Sequence, residues 1–173
     1  MPYREPTETT NLDTIYGSQA IPWSRPGERL AVGALGPMAR FFLGTVRPDG
    51  RPHAAGIGAA WHDGDLYFQC GPKTRKARNL AANPACTLSG SVPGMDLVFE
   101  GEARRVADAP TLEAVAALYR EGGWPVQVDG DAFTAPYSAP SAGPPPWHLF
   151  RLEAHTVFGV ATAEPHGATR WRF

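Results

Sequence analysis

Four consecutive residues, Lys73-Thr74-Arg75-Lys76, offer the clearest candidate for chemistry in this sequence. They follow the β-prone run LYFQC and precede a run with helical spacing, so they fall where a strand ends and a helix begins. The first turn of a helix presents unpaired backbone N–H groups and a partial positive charge. A hydroxyl and three cations at that point suit a phosphate dianion, with Arg75 offering a fork of donors and Lys76 a point charge.

The alternative is a solvated basic patch at the start of the helix. Basic side chains are favoured at the opposite end of a helix, where the dipole is negative. Cations in the first turn are therefore unfavourable unless an anion compensates them, which strengthens the case for an anion site. The residue types alone leave both interpretations open.

The other reactive residue types lack the spacing that their chemistry requires. His148, His155 and His166 have no metal-like spacing with Cys70 or Cys86, so we expect no metal site. The two cysteines could form one disulfide, but a pair of buried thiols in a cytosolic protein is the plainer interpretation.

The sequence also lacks the complete motifs for a nucleophilic serine and for a nucleotide-binding phosphate loop. Ser89 and Ser91 lie in no nucleophile-elbow pattern, which argues against acyl transfer. The run at 71–74 lacks the full phosphate-loop pattern G-x-x-x-x-G-K-[ST].

The elements that must position residues 73–76, which we call the basic run, are mostly short strands joined by tight turns. FFLGTVR, the extended residues 52–61 and LYFQC are separated by the turn sequences PDGR and HDGD, which predicts an antiparallel meander. The spacing at 74–84 predicts a helix with Thr74 as its N-cap and Pro84 at its end. The other predicted elements are a helix at 27–40, strands at 85–91, 96–106 and 147–160, a helix at 108–121 capped by Asp108 or Thr111, and a loop at 122–146.

Length and composition favour one domain. The chain has 173 residues, 43% of them hydrophobic, which is enough for one core. We assign residues 1–26 to an N-terminal arm, anchored by Ile21 and Trp23, and residues 27–173 to the domain. Its 19 glycines and 18 prolines favour short strands over long helices. The element order predicts a mainly β fold whose antiparallel sheet closes into a barrel to hide its edges.

Charge and hydropathy argue against several classes of partner. The net charge of −1 gives no reason to expect binding to nucleic acid or to an anionic membrane. No apolar run approaches the roughly 20 residues of a transmembrane helix, and the polar start MPYREPTETT carries no secretion signal. We therefore expect a cytoplasmic protein that binds neither nucleic acid nor a membrane.

Several segments, in order, resemble the pyridoxamine 5'-phosphate oxidase-like family of flavin-binding split barrels. LYFQCGPKTRKARNLAANP resembles the family's strand that leads into an S/T-R-K-A helix closed by N-P. DLVFEGEARRV resembles its strand with a glycine and an A-x-R end, and WHLFRLEAHTVFG with the closing RF resembles its C-terminal part. The resemblance covers roughly residues 40–173, with gaps. It implies a split β-barrel of antiparallel Greek-key type with flanking short helices.

The resemblance implies FMN as the cofactor. Arg75 and Lys76 match the family residues that hold the FMN phosphate, and His53 stands where the family carries a further arginine. Small residues after His53 would pass beside the isoalloxazine ring. The basic run and the resemblance together assign the cofactor to His53, Ala54, Ala55, Gly56, Phe68, Gln69, Lys73, Thr74, Arg75, Lys76, Asp96 and Arg172.

Two departures from the family pattern concern the reaction. Asp96 stands where the oxidases carry a glutamine beside the flavin, and a carboxylate there would disfavour an anionic reduced ring. The family's substrate-binding Arg-x-His pair falls on Ala168 and Arg170, and Ala168 lacks the charge that would bind pyridoxal phosphate. These departures indicate an FMN-dependent reductase or oxidase for a different, unidentified small molecule. No catalytic acid or base is assigned.

Two alternatives stay open at the level of sequence. The cofactor could be the deazaflavin F420, whose longer acidic tail would need further cations such as Lys73, Arg78 and Arg47. The protein could also be a module that holds FMN, haem or another ligand without turnover.

The resemblance also implies a homodimer with the cofactor in the cleft between two protomers. Trp124, Trp147 and Trp171 are candidate anchors of that interface, although each fits packing within one chain equally well. Trp171 could also stack on a ring system or fasten the C-terminal tail to the barrel.

Overall fold

The β-prone runs between the turn sequences form an antiparallel barrel in the computed structural model, which describes residues 4–31, 39–140 and 142–173. The elements, in chain order, are β1 (Glu8–Asn11), α1 (Ser24–Ala31), β2 (Ala39–Val46), β3 (Pro52–His62), β4 (Asp65–Cys70), α2 (Arg75–Ala82), β5 (Ala85–Val92), β6 (Met95–Val106), α3 (Ala109–Glu121), β7 (Gln127–Asp129), β8 (Ala132–Thr134), β9 (His148–Ala161) and β10 (Ala168–Arg172). Within the described ranges, six strands close in the spatial order β2, β3, β4, β9, β6 and β5. The prediction of a mainly β, split-barrel fold is confirmed.

Closure depends on the long strand β9, which pairs with β4 on one side and β6 on the other. The register between β6 and β9 shifts between Glu100 and Gly101. A Cβ at Gly101 would collide with the carbonyl oxygen of Glu153, so the two backbones approach there as only glycine allows. Such an irregularity bends a strand, which allows β9 to pair with both β4 and β6.

Alternating side chains of the barrel strands fill its interior. Phe41, Leu43, Phe68 and Leu88 are fully buried, and Phe41 packs edge-on against Phe99 with ring centroids 6.4 Å apart. Burial of each such side chain contributes roughly 1.5–3 kcal/mol to folding. The strands are therefore held in a fixed register, which also fixes the residues on the outer face of the barrel.

The chain ends meet on one edge of the sheet. β1 pairs with β10, so the N-terminal arm assigned to residues 1–26 contains a strand that the sequence did not predict. Trp171 is fully buried, lies 5.2 Å from Trp23 between ring centroids, and donates its indole N–H to the carbonyl oxygen of Ile21. Ile21 and Trp23 are buried, so their prediction as anchors is confirmed. Trp171 thus fastens the tail and does not present its ring to a ligand.

A second layer covers the outer face of β3, β4 and β9. It consists of α3, the β7–β8 hairpin and the segment up to Trp147, whose ring is fully buried. The prediction of a loop at 122–146 is wrong for its first half, because Val128 pairs with Phe133 in the hairpin. Each of these strands has three residues, too short for an alternating pattern to stand out in the sequence. Trp147, like Trp171, packs within its own chain and is excluded as an interface anchor.

Most predicted boundaries agree with the structure to within one or two residues. Asp108 caps α3, its carboxylate accepting the Thr111 N–H at 3.0 Å, which settles the choice between the two candidate caps. The helix predicted at 27–40 is displaced, since α1 begins at Ser24 and the chain is already in β2 at Ala39. Residues 32–38 of that prediction lie outside the described residues. In the described ranges, every helix is too short or too polar to cross a membrane.

Candidate functional site

The strand-to-helix junction predicted as an anion site is built around the cap of α2. Thr74 lies directly before the helix in extended conformation, and its hydroxyl oxygen accepts the Ala77 N–H at 3.3 Å. The same hydroxyl donates to the carbonyl oxygen of Gly71 at 2.8 Å. Thr74 therefore starts the helix, as predicted, and a hydrogen bond from its hydroxyl to a ligand would have to replace the one to Gly71.

The cations of the basic run differ in their surroundings. Lys73 and Arg75 are exposed, whereas Lys76 is 3% exposed and lies beside the buried Cys70. Burial lowers the pKa of Lys76, and it raises the pKa of the Cys70 thiol to about 11, so that thiol stays neutral. Lys76 therefore places a positive charge at the start of α2, where the helix dipole also favours an anion.

His53 brings a second element to the same place. Its side chain lies 3.4 Å, between Nδ1 and Oγ1, from Thr45, whose hydroxyl oxygen also accepts the side-chain N–H of Asn79 on α2. The pKa of His53 is lowered first by burial and then by the positive charges of Arg47, Arg75 and Lys76. We call Arg47, His53, Arg75 and Lys76 the cation cluster. Like charges gathered in this way repel one another, and a bound dianion would relieve that repulsion.

Inorganic phosphate should raise the pKa of His53. In the free protein the pKa lies below the ordinary 6.5. At pH values between the two pKa values, the unfolded chain binds more protons than the folded one. The free energy of unfolding therefore decreases as pH falls from about 6.5 through the folded pKa. A phosphate beside the imidazole favours its charged form, so binding should be accompanied by proton uptake.

An NMR titration of the His53 ring protons, assigned with His53→Gln and recorded with and without phosphate, measures this pKa. If His53 keeps the same pKa at saturating phosphate, the anion does not bind in the cation cluster.

The residues after His53 form an open strip along β3 on the outer face of the barrel. We call this strip, from Ala54 to Gly56, the lane. Ile57 and Ala59 point into the core, so the alternate positions Ala54 and Gly56 face outward, and both are exposed. A Cβ built on Gly56 meets no atom within 4 Å among the described residues. Ala55 has the opposite orientation, so only its backbone can border this lane. The prediction that small residues leave room for a flat ring therefore rests on Ala54 and Gly56.

The lane opens at Gly56 into a cavity of about 560 Å³ between the barrel and the second layer. We call it the aromatic cavity, and it is lined by Phe41, Phe42, Gly56, Ile57, Gly58, Gln69, Tyr119, Trp124, Tyr137, Ser138, Ala139 and Pro140. Gln69 lies in its wall, with a buried Oε1 that has no hydrogen-bond partner in the described part of the chain. Phe68 points the other way, into the core, where it stacks on Phe150 at 5.6 Å between ring centroids.

Two predicted cofactor residues lie away from the cation cluster within one chain. Asp96 pairs with Ser91 near the far end of β5 and accepts a hydrogen bond from its hydroxyl at 2.5 Å. Along β5, Ser91 is six residues, roughly 20 Å, from Ala85 at the end near α2. Arg172 lies on β10, outside the six barrel strands, and its guanidinium is 3.3 Å from the Glu8 carboxylate.

Sequence reasoning missed the outer wall of the site. Tyr119, Trp124 and Tyr137 line the aromatic cavity, and of these only Trp124 stood out in the sequence, as a candidate interface anchor. Their helical and loop segments carry no motif, and only the tertiary fold brings them opposite β3. Among the described residues there is no cluster of His, Cys, Asp and Glu that could hold a metal ion.

Comparisons with known proteins bear on this arrangement. The family model described as pyridoxamine 5'-phosphate oxidase matches residues 38–161. No curated protein sequence matches the chain significantly.

Solved structures share the fold at low sequence identity. A pyridoxamine 5'-phosphate oxidase-related, FMN-binding protein from Nostoc punctiforme is 19% identical, with a TM-score of 0.55 and 88% and 91% of the two chains covered. An F420 reductase is 23% identical, with a TM-score of 0.51, and the match covers 72% of this chain and 93% of the reductase chain. A heme-binding protein from Mycobacterium smegmatis is 15% identical, with a TM-score of 0.61, and the match covers 87% of this chain and 59% of the heme-binding chain.

Proposed function

Because the chain belongs to the pyridoxamine 5'-phosphate oxidase family, we propose that it binds FMN and acts as an oxidoreductase on a small molecule. The observation that carries the proposal is the cation cluster, in which Arg47, Arg75 and Lys76 act together on His53 at the start of α2. A phosphate dianion is the ligand that such a helix start favours. The Nostoc punctiforme protein, which has the same fold, is described as FMN-binding.

The residues present fit the cofactor at both of its ends. Arg75 and Lys76 would hold the phosphate, with His53 beside it. The exposed positions Ala54 and Gly56 leave open space where a flat ring could lie along β3. Gln69, whose buried Oε1 has no hydrogen-bond partner in the described part of the chain, lines the aromatic cavity into which that lane opens. A bound flavin supplies hydride or electron transfer, and the protein contributes binding, orientation and electrostatics.

The substrate we propose differs from pyridoxamine phosphate. Arg170, one of the two positions that match the family's substrate pair, donates through Nη2 to the Glu8 carboxylate and to the Thr10 hydroxyl, both at 3.1 Å. The other position is Ala168, which carries no charge. A phosphate on the substrate would therefore find no free cation at this pair.

A homodimer would complete the site. Asp96 and Arg172, which lie away from the cation cluster in one chain, would then reach the cofactor from the second protomer. This arrangement accounts for two predicted cofactor residues that the contacts among the described residues of one chain do not bring to the site. A cytoplasmic location is part of the proposal and is supported by the two buried free thiols, Cys70 and Cys86, which are typical of a reducing compartment.

F420 is the second candidate cofactor. Arg47 extends the cation cluster beyond the first turn of α2, as an acidic tail longer than that of FMN would require. An F420 reductase shares the fold. Under this alternative the site is the same and the hydride carrier is a deazaflavin.

An absorbance spectrum followed by titration with FMN and F420 tests the proposal. Flavin bands in the purified protein, or saturable FMN binding near one per chain, would support it. Binding of F420 alone would replace the cofactor and keep the site. Reduction of bound FMN by NAD(P)H, with reoxidation by an acceptor, would separate an enzyme from a binding module. Failure of both cofactors to bind would overturn the proposal.

A further inference from the structure

We propose that the aromatic cavity binds an uncharged aromatic substrate that presents a hydrogen-bond acceptor to Tyr119. The inference rests on the proposed function, because it names the substrate class for the same site. At about 560 Å³ the cavity falls within the usual size range of small-molecule pockets. It meets the lane of β3 at Gly56, so a molecule inside it would lie next to whatever occupies the lane.

The shape of the cavity is set by aromatic rings held in place from behind. Tyr119 packs edge-on against Trp124, with ring centroids 5.0 Å apart. Trp124 and Tyr137 both rest on the fully buried Trp147, at 5.3 and 6.3 Å between ring centroids. Across the cavity lies the glycine-containing stretch of β3. Rigid aromatic surfaces facing a flat strand favour a planar, ring-containing ligand.

The polar atoms of the wall define how such a ring would be oriented. Tyr119 is 1% exposed, and its hydroxyl has no hydrogen-bond partner among the residues that the structure describes. Burial raises the pKa of Tyr119, so the hydroxyl stays protonated and acts as a donor. Leaving a buried donor unsatisfied is costly, and an acceptor on a ligand would remove that cost. Gln69 Oε1, also unpartnered, would accept from an N–H or O–H on the same ligand.

The charge of the wall limits the ligand further. None of the described lining residues carries a charge. An ionised ligand would lose its hydration there without gaining a counter-charge, which is strongly unfavourable. The cations lie instead in the cluster at the start of α2, which the proposed function assigns to the cofactor phosphate. The cavity is therefore suited to an uncharged ring.

Three naphthalene derivatives separate the features of the proposal. 2-Naphthamide carries an acceptor and a donor, 2-methylnaphthalene carries neither, and 2-naphthoate carries a charge. Each is titrated against the full-length protein, with and without saturating FMN, and followed by tryptophan fluorescence. The variant Tyr119→Phe removes only the hydroxyl. Its matched control is Tyr16→Phe, which removes the hydroxyl of a side chain that is 89% exposed and does not line the aromatic cavity.

We expect 2-naphthamide to bind saturably in the presence of FMN. Tyr119→Phe should weaken its binding roughly three- to tenfold and leave 2-methylnaphthalene unchanged. Tyr16→Phe should change the binding of neither ligand. The thermal midpoint of each variant shows that the fold is kept.

Three results would overturn the inference. The hydroxyl has no role if 2-naphthamide binds Tyr119→Phe as well as the parent. Expulsion of 2-naphthamide by FMN would mean that the cavity holds the cofactor ring itself. Tighter binding of 2-naphthoate than of 2-naphthamide would mean that a positive charge contributes to the site. If FMN fails to bind while Tyr119→Phe still weakens 2-naphthamide binding, the cavity assignment stands and the proposed function is wrong.

Discussion

Replacing Lys76 with methionine should weaken FMN binding by ~1.5–3 kcal/mol, the range for a hydrogen bond to a charged group. This corresponds to roughly a ten- to 150-fold rise in Kd. Methionine keeps an apolar stem of similar length, which matters because Lys76 is 3% exposed and alanine would also leave a void. Flavin fluorescence titration at constant ionic strength measures the change.

The control for Lys76→Met is Arg104→Met. Arg104 is exposed on β6 and pairs with Glu102 and Glu153, so its loss removes a cation without touching the cation cluster. A surface pair of this kind contributes little to stability, and FMN binding should be unchanged. The thermal midpoint of each variant distinguishes lost binding from lost structure. If Lys76→Met binds FMN as well as the parent protein, the phosphate lies elsewhere.

Filling the lane on β3 should weaken binding of the flavin ring while leaving phosphate binding intact. A leucine at Gly56 would project into space where a single Cβ meets no described atom within 4 Å. The change should therefore cost little stability and should raise the Kd for FMN at least about tenfold, or ~1.4 kcal/mol. Calorimetric titrations with FMN and with inorganic phosphate measure the two ends of the site separately.

The graded variant Gly56→Ala adds only one methyl group and should fall between the parent and Gly56→Leu. The two ligands should respond differently, because phosphate needs the cation cluster and not the lane. Equal FMN binding by Gly56→Leu and the parent would show that the ring does not lie along β3. Loss of phosphate binding as well would indicate a structural change reaching His53.

Much of the barrel was predictable because its signals are local. The Asp-Gly turns at 49–50 and 63–64 define two hairpins, and the helical spacing with Thr74 and Pro84 defines α2 to within a residue or two at each end. The pairing of β1 with β10 was not predictable, because it joins segments about 160 residues apart and leaves no periodic pattern in either. The hairpin of β7 and β8 was missed for a related reason, since its short strands are stabilised by contacts with Trp147.

The candidate site was predictable at its phosphate end and not at its aromatic end. A strand-to-helix junction with Thr74, Arg75 and Lys76 can be recognised from residue type and order alone. The structure adds Arg47 to those cations around His53, which depends on how the β2–β3 turn approaches α2. The side chains of Phe68 and Ala55 turn away from the outer face, a consequence of strand alternation whose phase the sequence left undetermined.

The dual pairing of β9 has a consequence for synthesis on the ribosome. Neither β4 nor β6 can pair with its second neighbour until residues 148–161 have been synthesised. Until then, the nascent chain has one unpaired edge on β4 and another on β6. Contacts of such long sequence separation fold slowly, and unpaired edges favour aggregation in the meantime. Premature termination anywhere before residue 148 should therefore yield insoluble product, and expression should respond strongly to translation speed and to chaperone supply.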